Sequence, residues 1–241
     1  MSKYICILVL SLSLWSCKNQ KDETPKVRYD NSAKEKPAEK VDDTPIKVAD
    51  LPINFSGTNY LIHPVGDLNI YGREKAPTDS ALGTEAEQSF KVSNNNDNEL
   101  TGYLQNLKFQ EVGSDSIRAL TTKPILIETV TYLKSVADKS KKHLLVYTLS
   151  DADTNKDGKV DNNDIKTLYL SEISGNNFIK LSADFQELID WSLIESKSRI
   201  YFRVIEDINK NGAFDKEDKV HYHYLDLLAK ELKVQEYNPV N

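Results

Sequence analysis

The sequence predicts an all-β domain of antiparallel strands, and three observations carry this prediction. Residues alternate with period two in segments such as VHYHYL at 220–225, which is typical of strands. β-Branched and aromatic residues are concentrated in the same segments, as strands favour. An Asp-Gly pair at 157–158 and an Asn-Gly pair at 211–212 indicate hairpin turns between neighbouring strands.

The first seventeen residues predict an export signal that lies outside the fold. Lys3 supplies a positive charge, residues 4–15 are largely apolar, and residues 14–17 (LWSC) form a candidate cleavage site. The apolar stretch is too short to span a bilayer. An ordinary signal peptide cut nearby, or an uncleaved anchor, is the alternative.

Residues 14–17, with Leu14 three residues before Cys17 and a small residue directly before it, resemble the lipobox of bacterial lipoproteins. The resemblance implies that Cys17 carries the acyl groups (palmitate among them) of a membrane anchor. Several acyl chains hold a protein at a membrane, whereas one chain binds only marginally. Residues 18–23 (KNQKDE) resemble the export signal of Bacteroidetes surface lipoproteins, which implies an outer-membrane, surface-exposed location. An arbitrary polar spacer is the alternative.

Residues 18–50 are predicted to be a disordered, charged linker, followed by a single β domain at 51–241. Sixteen of the 33 linker residues are Lys, Arg, Asp or Glu, and three are Pro. Such a segment buries too little apolar surface to offset its ordering entropy. The remaining residues, about 190, suffice for one core.

Charge and cysteine content exclude several classes of function. The net charge of −6 argues against nucleic-acid binding, because no basic stripe is present to neutralise phosphates. The two cysteines are Cys6, in the signal, and Cys17. The predicted domain therefore has no disulfide, cysteine zinc site or cysteine nucleophile. The chain also lacks a Gly-x-Ser-x-Gly, a His-Glu-x-x-His and a phosphate loop.

Two twelve-residue stretches, loop 1 (153–164) and loop 2 (207–218), have the side-chain spacing of a calcium loop. Oxygen-bearing side chains fall at positions 1, 3, 5, 9 and 12, glycine is at position 6, and position 7 would offer its backbone carbonyl. The predicted loop 1 ligands are Asp153, Asn155, Asp157, Lys159 (carbonyl), Asp161 and Asp164. The predicted loop 2 ligands are Asp207, Asn209, Asn211, Ala213 (carbonyl), Asp215 and Asp218.

The chemistry of these loops predicts two structural Ca²⁺ ions. Many protein oxygens on a flexible loop favour calcium over magnesium. Because Asn211 replaces the carboxylate of Asp157, loop 2 is predicted to be the weaker site. Asp151 and Glu206 are interpreted as flanking acids. An acidic surface turn without metal is the alternative.

The loops resemble those of EF-hands, and aspartate at position 12 resembles the dockerin variant, D-x-N-x-D-G-x-V-x-x-x-D. Dockerin loops lie much closer together than the 54 residues found here. An EF-hand helix would follow each loop, but the alternation at 220–225 favours a strand. Each loop is therefore predicted to join two antiparallel strands.

The segments around both loops repeat, which predicts two units at about 143–196 and 197–241. Their rhythm, LY-S…G…LS-D…WS…IYF, resembles the blades of TolB-like and WD-repeat β-propellers. The resemblance implies blade-like antiparallel sheets, although too few units are visible to close a ring. Other predicted strands are 59–64, 103–112, 117–120, 125–133 and 143–149, with a turn at 64–67 and a long polar excursion at 72–101.

The remaining candidates are weaker. His221 and His223 are two residues apart on one predicted strand face, which is interpreted as solvated because no third metal ligand is evident. The strand aromatics are assigned to the core and not to a sugar-binding platform; they are Trp191, Tyr201, Phe202, Tyr222 and Tyr224.

The sequence therefore predicts a non-enzymatic, calcium-binding envelope lipoprotein whose β domain binds or supports another molecule. The alternatives are a carbohydrate-binding module, which needs exposed coplanar aromatics, and a glycan or peptide hydrolase with structural calcium. A protein or glycan partner is left unidentified.

Overall fold

A computed structural model of the chain describes residues 26–29, 46–68 and 91–240. These residues form antiparallel β-strands and one short α-helix, so the predicted all-β class is confirmed. The strands are β1 (Ile46–Ala49), β2 (Tyr60–Leu68), β3 (Ser93–Asn95), β4 (Glu99–Glu111), β5 (Ile117–Ala119), β6 (Leu126–Tyr132), β7 (Leu144–Ser150), β8 (Lys166–Glu172), β9 (Ile179–Lys180), β10 (Gln186–Ile194), β11 (Arg199–Glu206), β12 (Lys219–Asp226) and β13 (Val234–Tyr237). The helix α1 is Lys134–Ser140. Within the described ranges, no helix has the length and apolar character needed to cross a membrane.

The larger sheet has nine strands, in the order β1-β2-β4-β6-β7-β8-β9, with β3 and β5 also paired to β4. The 13-residue strand β4 is long enough to pair with β2 and β3 along one edge and with β5 and β6 along the other. All of these pairings are antiparallel. The smaller sheet has four strands in the order β10-β11-β12-β13. The described strands close neither a barrel nor a propeller ring.

The two sheets pack face to face, and strand β7 lies at the centre of the core. All seven β7 residues are buried, because the strand has apolar neighbours on both faces. Leu144 and Val146 pack towards the smaller sheet, whereas Leu145, Tyr147 and Leu149 pack on the opposite face. The continuous apolar run of β7 is the pattern expected of a strand covered on both sides. The residues that the smaller sheet contributes to this core are Leu188, Ile200, Phe202, Val204 and Leu225.

The turn predicted at 64–67 is wrong, because these residues lie inside β2. They pair with β1 on one side and with β4 on the other, where the register shifts between Val65 and Gly66 because β4 has one extra residue, Gln105. Pairing on both edges outweighs the local turn preference of proline and glycine. Gly66 also permits close packing, since a Cβ at this position would lie 3.0 Å from the Cβ of Val92.

The predicted polar excursion at 72–101 is only partly tested, since residues 69–90 lie outside the described ranges. Residues 93–95 form β3 and pair with the start of β4, so this part of the prediction is wrong. Residues 96–98 form the hairpin turn, where Asn96 Oδ1 accepts the N–H groups of Asn98 and Glu99 at 3.1 and 2.9 Å. Side-chain acceptors of this kind stabilise turns without any apolar contact.

The linker predicted at 18–50 differs from the structure at both of its described parts. Ile46–Ala49 forms the edge strand β1 against β2, and residues 26–29 pack on the β domain, with Val27 only 2% exposed. Backbone pairing and one buried apolar side chain order these short pieces despite their polar surroundings. Residues 18–25 and 30–45 lie outside the described residues.

The repeat units predicted at 143–196 and 197–241 do not coincide with the sheets. Strands β7, β8 and β9 belong to the larger sheet, but β10 pairs with β11 in the smaller one. The chain crosses between sheets after β9, because the apolar residues of β10 join the core shared with β11 and β12. The smaller sheet consists of four antiparallel strands in sequence order.

Candidate cation-binding loops

Loops 1 and 2 occupy equivalent places in the two sheets. Loop 1 connects β7 to β8, loop 2 connects β11 to β12, and each pair of strands is antiparallel. The predicted hairpin arrangement is therefore confirmed, and a strand follows each loop where an EF-hand has a helix.

The ligand-position side chains of loop 1 accept hydrogen bonds from backbone N–H groups of the same loop. The position-1 carboxylate accepts from positions 5 and 6, at 3.1 and 2.8 Å. The position-3 amide oxygen accepts from position 5, and the position-5 carboxylate from position 7, each at 2.9 Å. The position-12 carboxylate accepts from positions 2, 3 and 9, at 2.7, 3.2 and 2.8 Å. The loop therefore folds around its own side-chain oxygens.

Loop 2 repeats this network except for the bond from position 3 to position 12. The position-1 carboxylate accepts the N–H groups of positions 5 and 6 at 3.2 and 2.8 Å. The position-3 amide oxygen accepts the N–H of position 5 at 2.9 Å, and the position-5 amide oxygen accepts the N–H of position 7 at 2.8 Å. Position 12 accepts from positions 2 and 9 at 3.2 and 2.8 Å. The backbone matches as well, with positive φ at position 4 (60° and 58°) and at position 6 (92° and 83°). Glycine at position 6 adopts this φ without steric cost.

Each loop concentrates negative charge, part of it buried. Asp164, at position 12 of loop 1, is 1% exposed, and Asp207, at position 1 of loop 2, is 4% exposed. A buried carboxylate is costly unless its charge is compensated. Among the described residues, none of the ion pairs involves a carboxylate at a ligand position. Backbone N–H groups donate to both of these carboxylates.

The intraloop hydrogen bonds leave acceptor capacity in the loops. A carboxylate has about four lone-pair sites, so an oxygen that accepts an N–H group is still able to coordinate a cation. As the described side chains stand, no group of three or more His, Cys, Asp or Glu residues forms a ready metal cluster. The position-7 residues, Lys159 and Ala213, are exposed.

The flanking acids have partners outside the loops. Asp151 Oδ2 accepts the Tyr169 hydroxyl at 2.7 Å and lies 2.8 Å from Lys180 Nζ. Glu206 Oε2 lies 2.8 Å from His221 Nε2. The structure therefore places these two acids beside the loops, in contacts with neighbouring strands.

Sequence reasoning missed a segment that contacts both loops, which we name the strap (residues 26–29). Thr154, at position 2 of loop 1, donates its hydroxyl to the carbonyl of Lys26 at 2.8 Å, and its own carbonyl accepts the N–H of Arg28 at 3.0 Å. The available signal was the pair of large side chains Val27 and Tyr29 within an otherwise polar stretch.

At the other end of the strap, Tyr29 contacts loop 2. Its ring lies 5.9 Å from Nζ of Lys210, at position 4 of loop 2, and 6.0 Å from the ring of Phe185. Burial, followed by the negative charge of Asp207, raises the pKa of Tyr29 to about 12. The phenol therefore remains a hydrogen-bond donor at neutral pH.

The prediction that His221 and His223 form a solvated face is wrong. Their partners across β11 are Val204 and Phe202, which are buried, so the histidines face the larger sheet. The His223 ring lies 5.0 Å from that of Phe202, and burial lowers the pKa of His223. His221 lies between Glu206 and Glu236, at 2.8 and 3.1 Å.

The strand aromatics divide between the two faces of the smaller sheet. Phe202 is buried and Trp191 packs against the core, as predicted. Tyr201, Tyr222 and Tyr224 lie instead on the outer face, where the assignment to the core is wrong. Tyr201 and Tyr224 stack at 5.7 Å, but Tyr237 lies edge-on to all three. These rings pack against one another and do not form a coplanar platform.

Comparisons with protein families, with curated proteins and with solved structures found no match to this chain. Its class is therefore defined by its own fold and loops: an antiparallel β protein with the same acidic hairpin loop in each of two sheets. Cys17 and the candidate export signal lie outside the described residues.

Proposed function

We propose that the chain is a calcium-binding lipoprotein of the cell envelope, in which bound calcium stabilises the β domain. The buried carboxylates of Asp164 and Asp207, with no ion-pair partner among the described residues, are the observation that carries the proposal. A divalent cation at each loop compensates this charge. The side-chain and carbonyl oxygens at positions 1, 3, 5, 7, 9 and 12 suit calcium, which takes six to eight oxygen ligands.

Calcium in this proposal stabilises the two hairpins and takes no part in a reaction. Without a cation, clustered carboxylates oppose closure of each loop, so that cation binding and loop folding are linked. Each loop joins strands that carry the core shared by the two sheets. Calcium therefore stabilises the domain that the tether presents.

The difference between the loops gives a direct test by reciprocal substitution. Asp157→Asn lowers the number of ligand-position carboxylates in loop 1 from four to the three of loop 2, and Asn211→Asp raises that of loop 2 from three to four. We expect the first to weaken and the second to strengthen calcium binding at the substituted loop, each by roughly tenfold, which corresponds to about 1.4 kcal/mol. Titration calorimetry of the wild-type and variant chains measures both changes.

Asp138→Asn is the matched control, because it removes a carboxylate on the surface of α1, away from the loops. It should leave both affinities unchanged. A wild-type chain that binds no calcium, or variants that respond as the control does, would contradict the calcium proposal.

The proposed anchor is Cys17, which holds the chain at the surface of the outer membrane. The β domain then binds or supports a protein or glycan partner. Cys17→Ala should move the chain from the membrane fraction to the soluble fraction and abolish incorporation of labelled palmitate. Cys6→Ala, which changes the other cysteine, should do neither. Membrane retention of the Cys17→Ala chain would refute a lipid anchor at this residue.

A further inference from the structure

The strap bridges the two loops. Within four residues it contacts Thr154 of loop 1 through hydrogen bonds and Lys210 of loop 2 through the Tyr29 ring. Since an extended chain spans at most about 3.6 Å per residue, the Cα atoms of Lys26 and Tyr29, which contact the two loops, lie within roughly 11 Å of each other. The two loops therefore share one neighbour, although they belong to different sheets.

Contacts beyond the backbone also hold the strap. Val27 is 2% exposed and is thus a buried anchor. Lys26 Nζ lies 2.6 Å from Glu187 Oε1, while Glu187 Oε2 accepts the N–H of Lys166 at 2.9 Å. Lys166 begins β8 directly after loop 1. The strap is therefore tied to the segment that closes loop 1 as well as to the loop itself.

The strap contacts residues that belong to the closed loops. The Thr154 N–H donates to Asp164 at 2.7 Å, while the Thr154 hydroxyl donates its one hydrogen to the Lys26 carbonyl and the Thr154 carbonyl accepts the Arg28 N–H. At loop 2, the Tyr29 ring contacts Lys210, which holds the positive φ of position 4 in the closed loop. The strap contacts thus match both loops in their closed conformation.

We propose that strap docking and cation binding favour each other, so that the strap couples the two loops. This inference rests on the proposed calcium function. A cation that closes loop 1 positions Thr154 for the strap, and a docked strap stabilises the closed loops. By linkage, the calcium affinity and the strap docking constant change by the same factor.

The coupling sets the reach of the proposed tether. Lys26 follows Cys17 by nine residues and β1 begins 29 residues after it, so docking reduces the maximum reach from about 100 Å to about 30 Å. Calcium binding therefore brings the end of the domain that carries the two loops closer to Cys17.

Hydrogen–deuterium exchange of the full chain in detergent micelles tests the coupling, with calcium or a chelator present. Peptides covering 26–29, including the bonded N–H of Arg28, should exchange about fivefold more slowly or better in calcium. Val27→Asn should abolish this protection and weaken calcium binding in calorimetry by a similar factor. Val240→Asn is the control, because Val240 is 72% exposed; it should change neither property.

The outcomes separate the two proposals. If two calcium ions bind while residues 26–29 exchange equally in calcium and chelator, the coupling is wrong and the calcium proposal stands. The coupling is also wrong if Val27→Asn releases the strap and leaves the affinity unchanged. If no calcium binds, the proposed function fails and the coupling fails with it.

Discussion

Calcium at about 1 mM should raise the melting temperature of the chain by about 10 to 20 °C relative to chelator. With a Kd near 10⁻⁵ M, each site adds about 2.7 kcal/mol at this concentration by mass action. For a domain of this size, each kcal/mol shifts the melting temperature by about 2 to 4 °C. Thermal unfolding followed by circular dichroism or calorimetry measures the shift.

The double variant Asp164→Asn, Asp218→Asn is the control for this experiment, because it removes the position-12 carboxylate from both loops. It should melt at the same temperature in calcium and in chelator. Magnesium should give a smaller shift than calcium in the wild-type chain, since it demands a tighter octahedral site. Equal melting temperatures of the wild-type chain under all three conditions would rule out calcium as a structural staple.

Phe202→Ala should destabilise the chain by about 3 to 5 kcal/mol, the usual cost of deleting a buried aromatic side chain. Phe202 is 2% exposed and lies in the core shared by the two sheets. Its removal leaves a cavity against the larger sheet, which close-packed neighbours fill only in part. Urea unfolding of the variant and the wild-type chain measures the loss.

Tyr201→Ala is the matched control, because the neighbouring side chain points to the opposite, outer face of the same strand. Its cost should be clearly smaller, since Tyr201 is only half-buried and packs against other surface tyrosines. Equal losses at the two positions would contradict the packing of the smaller sheet through the face that carries Phe202.

The hairpins and the loop conformation could be predicted from the sequence because local residues determine them. Glycine at position 6 and oxygen-bearing side chains at fixed spacing produce nearly the same hydrogen-bond network in both loops. The alternating pattern of β12 likewise predicts a strand. It leaves open which face is covered, and the inward orientation of His221 and His223 was therefore missed.

By itself, the sequence determined the antiparallel β class, the strands on either side of each loop and the oxygen-bearing side chains that the loops gather. These depend on period, turn residues and spacing, all of which act within a few residues. Tertiary structure decided that Pro64 and Gly66 lie within β2, that β10 leaves the preceding strands for the smaller sheet, and that residues 26–29 bridge the loops. The physical reason is that edge pairing and burial of single apolar groups such as Val27 depend on partners distant in the chain.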